Sequence, residues 1–155
     1  MSVWVGESTI DQQALLASWY ESDAGDTGAI VTFSGLVRDF SERSGVQALV
    51  LEHYPGMTEK VLHDLEEEAC SRWALQRVVI AHRVGRMTAG EVIVLVAVAS
   101  AHRKDAFAAC EWLMDILKTR APFWKKEETA EGSHWVEQRQ SDIEREERWS
   151  AKTNA

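Results

Sequence analysis

The chain has 155 residues, a usual length for one domain, of which 45% are hydrophobic and 27% charged. Its formal net charge of −8 argues against general nucleic-acid binding, which needs a basic surface. No apolar run reaches the ~18 residues of a membrane-spanning helix, and Met1 to Glu7 lacks the basic start and apolar stretch of a secretory signal. A single cytoplasmic domain over 1–155 is expected.

A first helix is predicted over Asp11 to Glu21, with Leu15 and Trp19 one turn apart on one face. Asp23 to Gly28 is a turn by composition. Ala29 to Ser34 reads as a strand, with Gly35 letting the chain change direction after it. Asp39 to Gly45 is polar and reads as a mobile loop. Val46 to Tyr54 reads as a second strand, ended by Pro55 and Gly56, with Thr58 as the cap of the next helix. That helix carries Val61, Leu65, Ala69 and Trp73 at helical spacing, with Glu66, Glu67 and Glu68 on its wet side.

Two strands follow. Arg77 to Val84 alternates, with Val78, Ile80 and Val84 on one face, and Glu91 to Ala99 is apolar throughout its interior, as a central strand covered on both faces would be. The link Arg86 to Gly90 suits a hairpin. A third helix starts near Ser100 or Ala101, with Phe107, Cys110, Met114 and Leu117 as its apolar stripe, and ends by about Arg120 because Ala121 precedes Pro122. His134 to Arg139 is a last short strand. Ser141 to Ala155 is a charged tail with Trp149 as its one aromatic residue and a frayed end. Helices and strand pairs in this order imply an α+β domain with helices against a largely antiparallel sheet.

The two cysteines, Cys70 and Cys110, fall inside predicted helices among apolar neighbours and form no CxxC pair. They read as two small core residues, so sulfur handled here would arrive on something else. Lys118 to Lys126 holds four basic residues and no acidic one. A basic island in an acidic chain suits a small anionic ligand.

Three groups of residues extend that anion reading. His102 and Arg103 open a helix after a buried strand, where unpaired amides and an arginine can bind an anion together; an exposed arginine and a hydrogen-bonded histidine satisfy the same pattern. Lys118 shares a helix face with Met114. A lysine against apolar surface has its pKa lowered and its neutral amine made available, and Lys125 could return to the same site after the Pro122 turn. Both lysines could instead reach out to water or cap the helix. Arg38 lies past a strand end, where binding residues often sit.

At these residues the chain resembles the large-subunit family of molybdopterin synthase. The resemblance is carried by Val31 to Arg38, Leu51 to Glu59, Ser100 to Arg103 and the long, specific stretch Lys118 to Glu127, and it runs from about Gly28 to Arg139. It implies an α/β hammerhead-type fold and a homodimer. Each large subunit would bind one small, ubiquitin-like sulfur-carrier subunit, giving a heterotetramer. The carrier's C-terminal Gly-Gly thiocarboxylate would thread into a pocket and deliver sulfur to precursor Z, a cyclic pyranopterin monophosphate, forming the dithiolene of molybdopterin.

The resemblance implies Lys118 and Lys125 as catalytic lysines. It implies Arg38, His102, Arg103, Lys126, Glu127 and Arg139 as substrate-binding residues, with Val37, Phe33 and Met114 on the pocket wall. His102, Arg103 and Arg139 would come from the neighbouring subunit. Arg38 and Arg103 would hold the phosphate, with Lys125 in support, and Lys118 would act beside the thiocarboxylate. No motif suggests a protein-bound metal or cofactor, since the carrier thiocarboxylate supplies the sulfur. No function is carried over to the Asp39–Gly45 loop or the C-terminal tail. The alternative is a non-catalytic binding module for a phosphorylated small molecule, which the basic island fits equally well.

Overall fold

A computed structural model of the chain describes residues 2–21, 25–38, 45–137 and 139–153. Most of the Asp39–Gly45 loop, part of the Asp23–Gly28 turn and the last two residues of the tail lie outside the described residues. The described elements are β1 (Val3–Gly6), α1 (Gln12–Glu21), β2 (Ala29–Leu36), β3 (Val46–His53), α2 (Met57–Arg72), β4 (Leu75–Arg83), β5 (Gly85–Met87), β6 (Val92–Ser100), α3 (Arg103–Arg120), β7 (Phe123–Thr129), β8 (Gly132–Val136) and α4 (Gln140–Thr153). This is the expected α+β class, built on two four-stranded sheets rather than one. Their orders are β1-β4-β6-β2 and β5-β3-β7-β8. Among the described residues, every pairing is antiparallel except β1 with β4.

β6 sits in the middle of the first sheet, and its uninterrupted apolar run follows from that place. Val94, Val96 and Val98 face a core shared with α2 and α3, while Leu95, Ala97 and Ala99 face α1 through Leu16 and Trp19. Each fully buried aliphatic side chain there contributes roughly 1.5–3 kcal/mol. β4 is buried on both faces as well, with Val78 and Ile80 on one side and Val79 and Ala81 on the other. A third cluster, Leu51, Val84 and Met87 with Val37, Ile93 and Phe123 against it, joins the two sheets. Among the described residues, no helix is long and apolar enough to cross a membrane.

Several local expectations are corrected. β2 does not turn at Gly35. It runs on to Leu36 with a register shift between the two, and Gly35 is needed because a Cβ there would lie 2.7 Å from Val94 Cγ1. The cap of α2 is Gly56, at φ 83°, rather than Thr58. Glu59 accepts the Gly56 amide at 2.6 Å, and Thr58 is buried one residue into the helix, its hydroxyl accepting the Tyr54 amide at 3.1 Å. The link after β4 is not a simple hairpin, since β5 crosses to the second sheet and pairs with β3. Phe107 is 62% exposed, and the stripe of α3 runs instead through Ala106, Ala109, Cys110, Leu113, Met114 and Leu117. Cys110 is buried as expected, whereas Cys70 is exposed on α2.

The last strand is Gly132–Val136, and the charged tail is helical through Thr153. α3 ends where expected. Ala121, before Pro122, is extended at φ −71° and ψ 130°, because proline's ring disfavours helical backbone in the residue ahead of it. β7 begins at Phe123. The reversal between α3 and β7 therefore occupies only two residues, and it brings the two ends of the basic island towards each other.

Candidate active site

The reversal after α3 opens onto a pocket of about 250 Å³ whose wall includes Arg38, Lys118, Lys125, Glu127 and Arg139. Leu36, Val37, Leu49, Ala89 and Ile93 add apolar surface. Among the described residues, four basic groups from four parts of the chain thus share one small space with a single carboxylate. Each basic group raises the potential felt by the others, so the site is built to take an anion.

β7 decides which of its charges enter. Lys125 pairs across to Leu51 and Glu127 to Leu49, on the face turned to the junction between the sheets. Lys126, one residue between them, points the other way. Its ammonium lies 4.9 Å from the centre of the Trp135 ring and 3.4 Å from Glu52 Oε1. Lys126 is therefore not brought into the pocket.

Burial lowers the Lys125 pKa from its ordinary value. Arg139, Lys118 and Arg38 lower it further, and Glu127 opposes them. A lysine so placed offers its neutral amine more readily than a free one does. Lys118 stands on the last turn of α3 with its side chain at the pocket wall.

Arg38 follows a backbone clamp. The Val37 amide donates to the Glu91 carbonyl at 2.9 Å, and the Val37 carbonyl accepts the Gly90 amide at 2.8 Å. Glu91 is fixed in turn. Its carboxylate takes the Thr88 amide and, at 3.1 Å, the Arg83 guanidinium, and both hold its pKa below the usual carboxylate range. Arg83 is itself buried and also donates to the Glu7 carbonyl at 3.1 and 3.3 Å.

His82 is a buried group that sequence reasoning passed over. Its ring stacks on Phe123, with centroids 4.0 Å apart, and Nδ1 lies 2.8 Å from the Arg83 carbonyl. Burial lowers its pKa to about 4, with His53 and Lys118 pushing the same way against the Arg83 carbonyl. A histidine directly after the apolar run Val78–Ala81 of β4 was the available signal. The Arg83–Glu91 pair left no such signal, because charged residues at strand ends are ordinary.

The remaining expected site residues lie elsewhere in this chain. His102 caps the start of α3 and Arg103 is its first residue, both exposed. Arg103 stands 15 residues from Lys118, or ~22 Å along a helix, and His102 one residue farther. Phe33 is 41% exposed on β2, and Met114 is packed in the core beneath α3. Arg139, by contrast, lines this chain's own pocket, where its charge acts on Lys125. Neither cysteine lines the pocket. Among the described residues, no three His, Cys, Asp or Glu side chains are grouped to hold a metal ion.

The model of the MoaE protein family matches residues 5–120 of the chain. The molybdopterin synthase catalytic subunit of Vibrio cholerae is 55% identical over 136 residues, covering 86% of this chain and 91% of its own. That of Pseudomonas aeruginosa is 51% identical over 149 residues, covering 96% and 99%. The solved structure of a molybdopterin biosynthesis MoaE protein from Burkholderia ambifaria superposes with a TM-score of 0.81 at 44% identity, covering 96% of this chain and 97% of its own.

Proposed function

This chain belongs to the MoaE protein family, and from that premise we propose how it does the work of a molybdopterin synthase catalytic subunit, a sulfur-transferring enzyme of molybdenum-cofactor biosynthesis. The substrate is precursor Z, and the sulfur comes from the C-terminal thiocarboxylate of a small carrier subunit. The observation that carries this reading is the convergence of Arg38, Lys118, Lys125 and Arg139 on one pocket that neither cysteine lines. Such a pocket suits a phosphorylated substrate and an anionic sulfur donor together, and it leaves sulfur delivery to a partner.

Arg38 and Arg139 hold the cyclic phosphate, since arginine presents a planar fork of donors to phosphate oxygens. Lys125, with its lowered pKa, exchanges a proton with the substrate. Lys118 stands beside the thiocarboxylate and stabilises negative charge that develops as sulfur moves to the pterin side chain. His102 and Arg103 reach the substrate from a second copy of the chain, so the working unit is a homodimer carrying two small subunits.

Incubation with precursor Z and thiocarboxylated carrier, followed by detection of molybdopterin, tests the reading. Wild-type protein forms molybdopterin, and folded Lys118→Ala loses most turnover, a loss of ~2–4 kcal/mol for one preorganised electrostatic group. Binding of precursor Z without conversion would favour a binding module instead.

A further inference from the structure

The C-terminal helix α4 reads as a solvated tail, yet it is bonded to the core at one buried carboxylate. Asp115, on α3 one turn before Lys118, is only 5% exposed. Arg145 Nε donates to its Oδ1 at 2.6 Å, and Trp149 Nε1 donates to its Oδ2 at 2.7 Å. Arg148 lies 3.6 Å from the same oxygen. Trp149 is buried and packs edge-on to Trp73, with ring centroids 6.1 Å apart. Farther out, Glu146 accepts from Arg120 at 3.1 Å, and Glu111 accepts from Arg145 and Arg148.

A buried carboxylate with two charged partners and an indole donor is costly to undo, because removing its partners leaves a charge unpaired in a dry place. The lock therefore holds α4 on α3 in one position. The residue immediately before α4 is Arg139, whose carbonyl accepts the Asp142 amide at 3.1 Å in the helix's first turn. Arg139 is in the pocket wall with Lys125.

We propose that α4 is a positioning element of the catalytic pocket: docked on α3 through Asp115, it holds Arg139 against Lys125. Without the dock, Arg139 would be tethered only through the chain that follows β8. One carboxylate then sets two pocket groups, because Asp115 belongs to the helix turn that leads to Lys118 and also anchors the helix that follows Arg139. Trp149, Arg145 and Asp115 act through Arg139 and touch no substrate themselves.

This rests on the proposed reading of the pocket as the working site, so the test needs a readout that does not depend on substrate. The Lys125 amine supplies one. It is faced by Arg139, Lys118 and Arg38 as like charges and by Glu127 as the opposing one. Competitive acylation across pH, read by mass spectrometry of the Lys125 peptide, gives its titration midpoint. Two full-length variants release the dock in different ways. Glu144→Pro breaks α4 from an exposed position, and the Arg145→Ala, Arg148→Ala pair removes the ionic lock while leaving Trp149. Hydrogen exchange of the α4 amides reports the release.

The expected result is a rise of the Lys125 midpoint in both variants towards that of Arg139→Ala, with no further rise when either is combined with Arg139→Ala. In turnover assays, KM for precursor Z rises about tenfold with kcat largely kept, the scale of one lost charge-assisted contact. An unmoved Lys125 midpoint with α4 exchanging freely overturns the proposal, as does an equal shift in the Arg139→Ala background. A shifted midpoint in a protein that does not form molybdopterin would keep the positioning role and sink the functional reading instead.

Discussion

Lys125 and Lys126 are adjacent in sequence and face opposite sides of β7: the first lines the pocket, and the second lies over the Trp135 ring at 4.9 Å. A strand's side chains alternate, so two like charges side by side necessarily part company. Lys125→Ala should lower molybdopterin formation by about 10²–10³, the range for one preorganised group. Lys126→Ala should stay within a few fold, since it removes an exposed contact with Glu52. Comparable losses in steady-state assays of the two folded variants would show that the β7 register does not divide their roles.

His82 should make the protein acid-sensitive. Its folded pKa is about 4 against an ordinary 6.5, so between those values the unfolded chain holds a proton that the folded chain does not. At pH 7 the ring is mostly neutral in both states, and stability is lost as pH falls through 6.5 towards 4, by about 3 kcal/mol at most. Urea unfolding at pH 7 and pH 4.5 should show this fall, and His82→Phe, which keeps a ring against Phe123, should reduce it. An equally steep fall in the variant would place the acid sensitivity elsewhere.

The cysteines should be dispensable for chemistry and unequal for stability. Cys70 is exposed, and Cys110 is buried with its thiol pushed up to about 11 by burial, far from a reactive thiolate. Cys70→Ala should be neutral, Cys110→Ala should cost about 1 kcal/mol in denaturant midpoints, and the double variant should still transfer sulfur. Selective loss of the reaction in a folded double variant would count against an external sulfur donor.

Arg103 and Lys118 mark opposite ends of α3. At 1.5 Å per residue they are ~22 Å apart, too far for one small substrate to touch both. If both serve one site, the Arg103 end must come from a second copy. Arg103→Ala and Lys118→Ala, each inactive alone, should regain activity when mixed under exchange, because a mixed dimer keeps one site with both groups intact. Persistent inactivity with mixed dimers confirmed by mass would argue against shared sites.

Much of this was legible in the chain before folding. The unbroken apolar run of β6 announces a strand covered on both faces, and Pro122 announces the end of α3, because both rest on local physics. The basic island likewise announces a concentration of positive charge, of which Lys118 and Lys125 line the pocket. Other features needed the tertiary structure. β1 is four residues long and exists by pairing with β4; β7 is a polar segment made a strand by β3 and β8. Charged α4 owes its place to the buried Asp115, thirty residues back from Arg145. Composition and periodicity report a residue's own preference for water, whereas Arg38, Lys118, Lys125 and Arg139 became one pocket through pairing and packing between distant segments, which no local pattern encodes.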